Sequence, residues 1–162
     1  MGDPIVLKKQ DILAALYMAL LYVLAHANTD GRAGGYFALY ERGPTGQVGR
    51  ALILETIGTV IFKCISLYCR LVREKVHRLS QHLEHLSSWQ SRDPDNNKWG
   101  GAIVAGIYYL SFSGLPELCD EAIVLITART LGIISAHEAM RIAQISNNEL
   151  YNQWALSAQA MR

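Results

Sequence analysis

The sequence lacks the motifs by which most enzyme families are identified. It has no phosphate-binding loop, no dinucleotide-binding glycine fingerprint after a strand and no GxSxG nucleophile turn. None of its glycine clusters ends in the Lys-Ser/Thr pair of a phosphate cradle. The one cysteine that lies beside acids, Cys119, precedes Asp120 and Glu121, whose negative charge disfavours a reactive thiolate. These absences predict a protein with no catalytic residues and no cofactor, which is not an enzyme.

Cysteine and charge are also scarce. The three cysteines form no CxxC pair, and a spacing of five residues puts Cys64 and Cys69 on different faces of one helix, which argues against a disulfide between them. Free, reduced thiols indicate a cytoplasmic protein. Charged residues make up 18% of the chain and apolar residues 51%, with a net charge of +1. This composition predicts no global attraction to nucleic acid, and it favours a protein partner or homo-oligomer that covers apolar surface.

No apolar run is long enough to cross a bilayer. Residues Ile12–Ala27 are uncharged for 16 positions, whereas a spanning helix needs about 20 apolar residues. A polar turn follows directly, so we expect no membrane span.

What the sequence does contain is a long amphipathic pattern, Ala51–Gln90, that predicts one helix of about 60 Å. From Ile65 onward its apolar residues recur every three or four positions, which is the period of one helix face. The members of this stripe are Ile65, Tyr68, Val72, Val76, Leu79, Leu83 and Leu86. The pattern predicts an all-α fold, a single domain over residues 1–162 with five to seven helices built around this one.

The remaining elements are predicted from caps and breakers. Asp11 is a candidate N-cap for a helix that ends near Ala27, and residues 36–41 are expected to be helical or irregular. Residues 91–101 are polar and predict an exposed loop. Residues 102–112 predict a buried helix, with a strand over residues 103–109 as the open alternative. Pro116 fits the first turn of a helix over residues 117–131.

A basic face accompanies the apolar stripe. Between Lys63 and Arg78 the sequence has five Lys or Arg residues and one acid, Glu74. Lys63, Arg70, Arg73 and Arg78 would span roughly 22 Å along a helix. This face predicts a non-enzymatic helical subunit or adaptor of a larger assembly, which contacts an anionic partner, either a nucleic-acid backbone or an acidic protein surface. A solvated helix face is the simpler interpretation of the same residues.

The C-terminal segment offers an alternative function. Residues 135–160 contain two possible capping boxes, Ser135 with Glu138 and Ser146 with Glu149, which predict a pair of helices. The pair resembles the helix-turn-helix of bacterial regulators, and this resemblance implies a DNA-binding transcriptional regulator. The positions that match are Ala139, Ala143, Ile145, Ser146, Leu150 and Tyr151. The residues facing the major groove would be Asn147, Asn148, Asn152 and Gln153, whose amides can pair with adenine. The second helix carries no Lys or Arg before Arg162, which a reading helix needs for phosphate contacts.

Histidines near the end of the long pattern raise a third class, a helical metalloenzyme. His82 and His85 are three residues apart, with Glu84 between them and His77 one turn earlier. Two imidazoles are too few for a structural metal site, so the sequence alone predicts no metal.

Overall fold

The protein is an α/β structure, and the all-α prediction is wrong. The computed structural model describes residues 6–161, so the first five residues of the predicted domain and Arg162 lie outside it. Four strands form one antiparallel sheet in the order β2-β1-β4-β3. The elements in chain order are α1 Lys9–His26, β1 Ala33–Arg42, β2 Val48–Thr59, α2 Ile65–Ser80, β3 Ala102–Ala105, β4 Tyr108–Ser113, α3 Glu117–Thr130, α4 Ala136–Ser146 and α5 Glu149–Ala160.

The predicted 40-residue helix is divided into a strand, a helix and a loop. Its first nine residues belong to β2, where β-branched side chains such as Ile53 and Ile57 suit a pleated strand. Gly58 has a φ of +76°, which interrupts any helix at that point. Within the predicted range α2 is the only α-helix, and Leu83 and Leu86 lie in the loop beyond it. The stripe is nevertheless correct within α2, where Val72, Val76 and Leu79 are buried.

The segment predicted as helical or irregular, residues 36–41, lies in β1 instead. β1 pairs with β2 on one side and β4 on the other, so it is a central strand. Phe37, Ala38 and Leu39 are all buried, because helices cover both faces of the sheet. A strand buried on both faces shows no alternation of polar and apolar residues.

Residues 102–112 form a β-hairpin and not the predicted buried helix. β3 and β4 pair through Ala102–Ser111 to Ala105–Tyr108, and Gly106, with a φ of +59°, lies in the turn. The open alternative, a strand over residues 103–109, identified the conformation but missed this turn.

The sheet separates two layers of helices. On one face, Phe37, Leu110 and Phe112 pack in the main core with residues of α1 and α3. On the other face, Tyr109 and Ala102 pack against α2. α4 and α5 lie against α3, away from the sheet. α2 therefore covers this face of the sheet, and the side of α2 that points away from the sheet is exposed.

The predictions for the other helices are largely confirmed. α1, α3, α4 and α5 lie close to their expected positions, although Lys8 is the N-cap of α1 and Asp11 is in its first turn. The Ser135–Glu138 capping box is present. The second box is wrong, because Asn148 and not Ser146 caps α5 by accepting a hydrogen bond from Tyr151 N at 3.1 Å.

Within residues 6–161, no helix combines the length and apolar character that crossing a bilayer requires.

Candidate anion-binding cleft

Three of the four predicted basic residues meet in one cleft, which we call the basic cleft. Lys63, Arg70 and Arg73 are exposed and line a cavity of about 630 Å³. The remaining lining residues come from β1, the turn before α2 and the first half of α2: Tyr36, Phe62, Ile65, Ser66 and Cys69.

Local structure explains why these cations converge. Lys63 lies in the 3₁₀ turn Phe62–Cys64 that leads into α2. Arg70 and Arg73 are three residues apart on α2, so their side chains leave the same side of the helix. Tyr36 on the neighbouring strand β1 also lines the cleft. The sequence predicted all three cations on a single long helix, whereas in the structure Lys63 lies in the turn before α2 and Arg70 and Arg73 lie on α2.

The charge of the basic cleft is not neutralised within the described chain. None of the ion pairs among residues 6–161 includes Lys63, Arg70 or Arg73, and no carboxylate lines the cleft. Burial raises the pKa of Tyr36, and the neighbouring Cys69 thiol raises it further, while Arg73 opposes the shift. Tyr36 is therefore a neutral hydrogen-bond donor near pH 7 and brings no negative charge into the cleft.

Apolar surface borders the basic cleft. Phe62 is 88% exposed and the preceding Ile61 is 65% exposed. Exposed aromatic surface beside unpaired cations is typical of a binding surface, where the aromatic ring is an anchor and the charges provide orientation.

The fourth predicted cation, Arg78, is not part of this surface. Its side chain is buried and forms a bidentate pair with Glu74, with Nε–Oε2 at 2.9 Å and Nη2–Oε1 at 3.1 Å. It also donates to the carbonyl oxygens of Ser88 at 2.7 Å and Trp99 at 2.6 Å. Arg78 therefore ties the loop that follows α2 to the helix, and its charge is not available to a partner.

The residues of the alternative DNA-reading surface do not share an exposed face. Asn148 is fully buried and donates through Nδ2 to Leu118 O at 3.0 Å and to Glu121 Oε1 at 3.1 Å. Asn147 ends α4 in the left-handed conformation, with a φ of 54°. Asn152 is half-buried, and Gln153 is exposed. The amide of Asn148 is thus occupied inside the protein, where it cannot reach a base edge.

A buried ion pair that the sequence analysis missed lies on the other side of α2. Lys75 Nζ is 3.2 Å from Asp120 Oδ2 and donates to Phe112 O at 2.7 Å. Asp120 Oδ1 accepts from Leu115 N at 2.9 Å. Lys75 lies between Val72 and Leu79 in the apolar stripe, three residues after one and four before the other. This spacing was the signal that could have revealed its burial.

The environment of this pair shifts both pKa values in the direction that burial dictates. Burial lowers the pKa of Lys75, although Asp120 opposes the shift. Burial raises the pKa of Asp120 to about 6, and Lys75 opposes that shift. The pair lies at the base of a second cleft of about 500 Å³ that Trp99 and Pro116 also line. Lysines with a lowered pKa beside a cleft can act as bases, but the Lys75 ammonium is engaged by Asp120 and Phe112 O.

A second buried carboxylate joins three parts of the chain. Glu121 accepts hydrogen bonds from the hydroxyls of Ser87, at 2.6 Å, and Ser146, and from Asn148. Each carboxylate oxygen of Glu121 accepts at least one of these hydrogen bonds, so the buried carboxylate has hydrogen-bond partners without a cation. Glu121 thereby connects α3 to the loop after α2 and to the junction of α4 and α5.

The neighbouring cysteine is not an activated nucleophile. Burial, with a smaller contribution from Asp120, raises the pKa of Cys119 to about 11. All three cysteines are free thiols.

Comparisons of the chain with protein-family models, with curated proteins and with solved structures give no match.

Proposed function

We propose that this protein is a non-enzymatic subunit of a larger assembly that binds an anionic partner through the basic cleft. The observation that carries the proposal is the convergence of Lys63, Arg70 and Arg73 in one cavity without an internal carboxylate. The proposal keeps three of the four residues expected from the sequence and omits Arg78, whose charge is paired inside the fold.

The number of cations in the basic cleft sets how strongly the affinity should depend on salt. Three phosphate contacts on duplex DNA give a salt slope of about −2.7, or about a 40-fold loss of affinity between 50 and 200 mM salt. An acidic protein surface would instead bring Phe62 into an apolar contact, and its affinity would depend less on salt.

A charge-matched pair of variants tests the cleft. Lys63→Ala/Arg70→Ala/Arg73→Ala removes the cluster, and Lys8→Ala/Lys98→Ala/Arg141→Ala removes three exposed cations elsewhere. Each set changes the net charge from +1 to −2, because three positive charges are lost. Fluorescence anisotropy would measure binding of a generic duplex, a single-stranded RNA and a glutamate-rich peptide at both salt concentrations.

We expect the cleft variant to lose at least tenfold in affinity for one of these probes while the control variant keeps its affinity. Equal losses in both variants would show that only net charge matters. Failure of the wild-type chain to bind any probe would also contradict the proposal.

We further propose that the exposed side of α1 packs against a second copy of the chain. Tyr17, Met18 and Leu21 are exposed by 48%, 66% and 59%, and with Ala14 and Ala25 they form one stripe at helical spacing. No charged side chain interrupts this stripe, so two copies can pair through a twofold axis without burying a charge.

Sedimentation velocity tests this second surface. Met18→Lys/Leu21→Lys should convert a dimer to a monomer, whereas Leu83→Lys/Ile107→Lys, which changes two other exposed apolar residues, should not. A wild-type chain that is monomeric at tens of micromolar would refute pairing between copies.

We also propose a cytoplasmic location, because the three cysteines are free. The alternative function, a DNA-binding regulator, has weaker support because Asn148 is buried and residues 149–160 contain no Lys or Arg.

A further inference from the structure

The turn that follows α2 brings together three side chains that commonly bind metal ions. One ring nitrogen from each of His82 and His85 and one carboxylate oxygen of Glu84 lie within 4.8 Å of one another. The sequence showed the two histidines but not that Glu84 turns towards them. Among residues 6–161, no other group of three His, Cys, Asp or Glu side chains converges in this way.

Among residues 6–161, no hydrogen bond engages the side chains of His82, Glu84 or His85. The imidazole rings of His82 and His85 stack with centroids 4.5 Å apart and an interplanar angle of 14°. His85 Nε2 is 3.7 Å from Glu84 Oε1, beyond hydrogen-bonding distance, and His85 Nδ1 is buried without a hydrogen-bond partner in the described chain. His77 differs, because its Nε2 contacts Gln81 Nε2 at 3.1 Å.

The backbone on both sides of the turn is fixed. On the N-terminal side, His82 N donates to Leu79 O at 3.2 Å, and Leu79 is a buried residue in the last turn of α2. On the C-terminal side, Val104 N donates to Leu86 O at 2.9 Å, and the Ser87 hydroxyl donates to Glu121. Because both ends are held by the core, the three side chains start close to a common point before any ligand arrives.

We propose that His82, Glu84 and His85 form a binding site for a borderline divalent cation, with Zn²⁺ as the best fit. Two imidazole nitrogens and one carboxylate oxygen match the ligand preference of Zn²⁺ and leave one tetrahedral position for water or for a side chain of a partner. Ligands of a tetrahedral Zn²⁺ with bonds of about 2.0–2.1 Å lie about 3.3 Å apart. The donors, which lie within 4.8 Å of one another, therefore need to approach by at most about 1.5 Å, through rotation of the 76% exposed side chain of Glu84 and of the two imidazole rings.

Isothermal titration calorimetry with ZnCl₂ on the full chain tests the site. The wild-type chain should bind one Zn²⁺ ion. His82→Ala and His85→Ala should each weaken binding by more than tenfold, since changing even groups that only orient a ligand costs about 10–100-fold. His137→Ala is the matched control, because this exposed histidine lies outside the cluster, and it should leave the affinity unchanged. Far-ultraviolet circular dichroism would confirm that each variant is folded.

A second readout separates this site from binding by thiols. Zn²⁺ should raise the melting temperature of the wild-type chain and of a Cys64→Ser/Cys69→Ser variant, but not that of His82→Ala. Three results would overturn the proposal: no binding by the wild-type chain, equal weakening in His137→Ala, or full affinity in the His82→Ala and His85→Ala variants. None of these outcomes depends on the basic cleft, so the proposed function could fail while this site stands.

Discussion

The buried Lys75–Asp120 pair gives the sharpest test of how this fold is held together. The Lys75 side chain is 1% exposed and that of Asp120 is 3% exposed, with 3.2 Å between the charged atoms. Replacing Lys75 by Met keeps the apolar stem but removes the ammonium. Asp120 would then keep one hydrogen bond inside the protein, from Leu115 N at 2.9 Å.

The size of the destabilisation depends on the charge that stays buried after the substitution. Removing one partner of a buried pair costs about 3–5 kcal/mol, because the other charge remains in a low-dielectric interior. Asp120 can escape this cost by binding a proton, and its pKa is already raised to about 6 by burial. Without Lys75 its pKa rises further, so the destabilisation by Lys75→Met should be about 2 kcal/mol smaller at pH 5.5 than at pH 7.5.

A double-mutant cycle measured by urea unfolding is the assay. Asp120→Asn keeps an acceptor for Leu115 N and removes the negative charge. The double variant should be destabilised by about 1–3 kcal/mol less than the sum of the two single variants. A coupling energy below about 0.5 kcal/mol, or a Lys75→Met cost that does not change with pH, would refute the reasoning.

Three further predictions concern the same interior and are checked by urea unfolding. Gly101→Ala should lower the free energy of unfolding by about 2 kcal/mol or more, because φ is +119° and the new Cβ would lie 2.7 Å from Lys75 Nζ. Gly31→Ala, where φ is +75° and the surrounding space is open, should lower it by only about 1 kcal/mol. Glu121→Gln should lower the free energy of unfolding by about 1–3 kcal/mol, because the new amide NH₂ would face hydrogen-bond donors. An unchanged free energy of unfolding would contradict the hydrogen bonds described for Glu121. Since the pKa of Asp120 is about 6 in the folded chain against 3.8 ordinarily, the folded state binds the extra proton, and the contribution of Asp120 to stability should fall as the pH rises from about 4 to about 6. This fall should be absent in Asp120→Asn.

Helices with caps and one apolar side could be predicted from the sequence. The capping box of α4 and Pro116 before α3 fix where those helices begin, and both signals are local. The apolar stripe of α2 was also correct, because only this one side of the helix packs on the sheet. The exposed positions Lys63, Arg70 and Arg73 followed from the complement of that stripe.

The strands β1, β3 and β4 could not be predicted by the same reasoning, because helices cover both of their faces. β4 is buried except at Tyr108, and residues 34–39 of β1 are buried except at Tyr36, so the alternation that identifies a strand is absent. β2 ends close to α2, and its isoleucines continue a spacing that also fits a helix. The position of Lys75 in the apolar stripe signals its burial, but its pairing with Asp120 joins residues 45 positions apart, which no local pattern encodes.

The three hydrogen bonds to Glu121 determine how far the C-terminal helices can be treated as a portable unit. A fragment that ends at Gly132 would retain the Glu121 carboxylate but lose the donors Ser146 and Asn148, and an excised α4–α5 pair would lose the acceptor. Neither fragment would contain both the Glu121 carboxylate and all of its hydrogen-bond donors. Domain-swap chimeras or truncations of this protein should therefore be cut elsewhere, and any evolutionary exchange of these two helices would have to bring α3 with them.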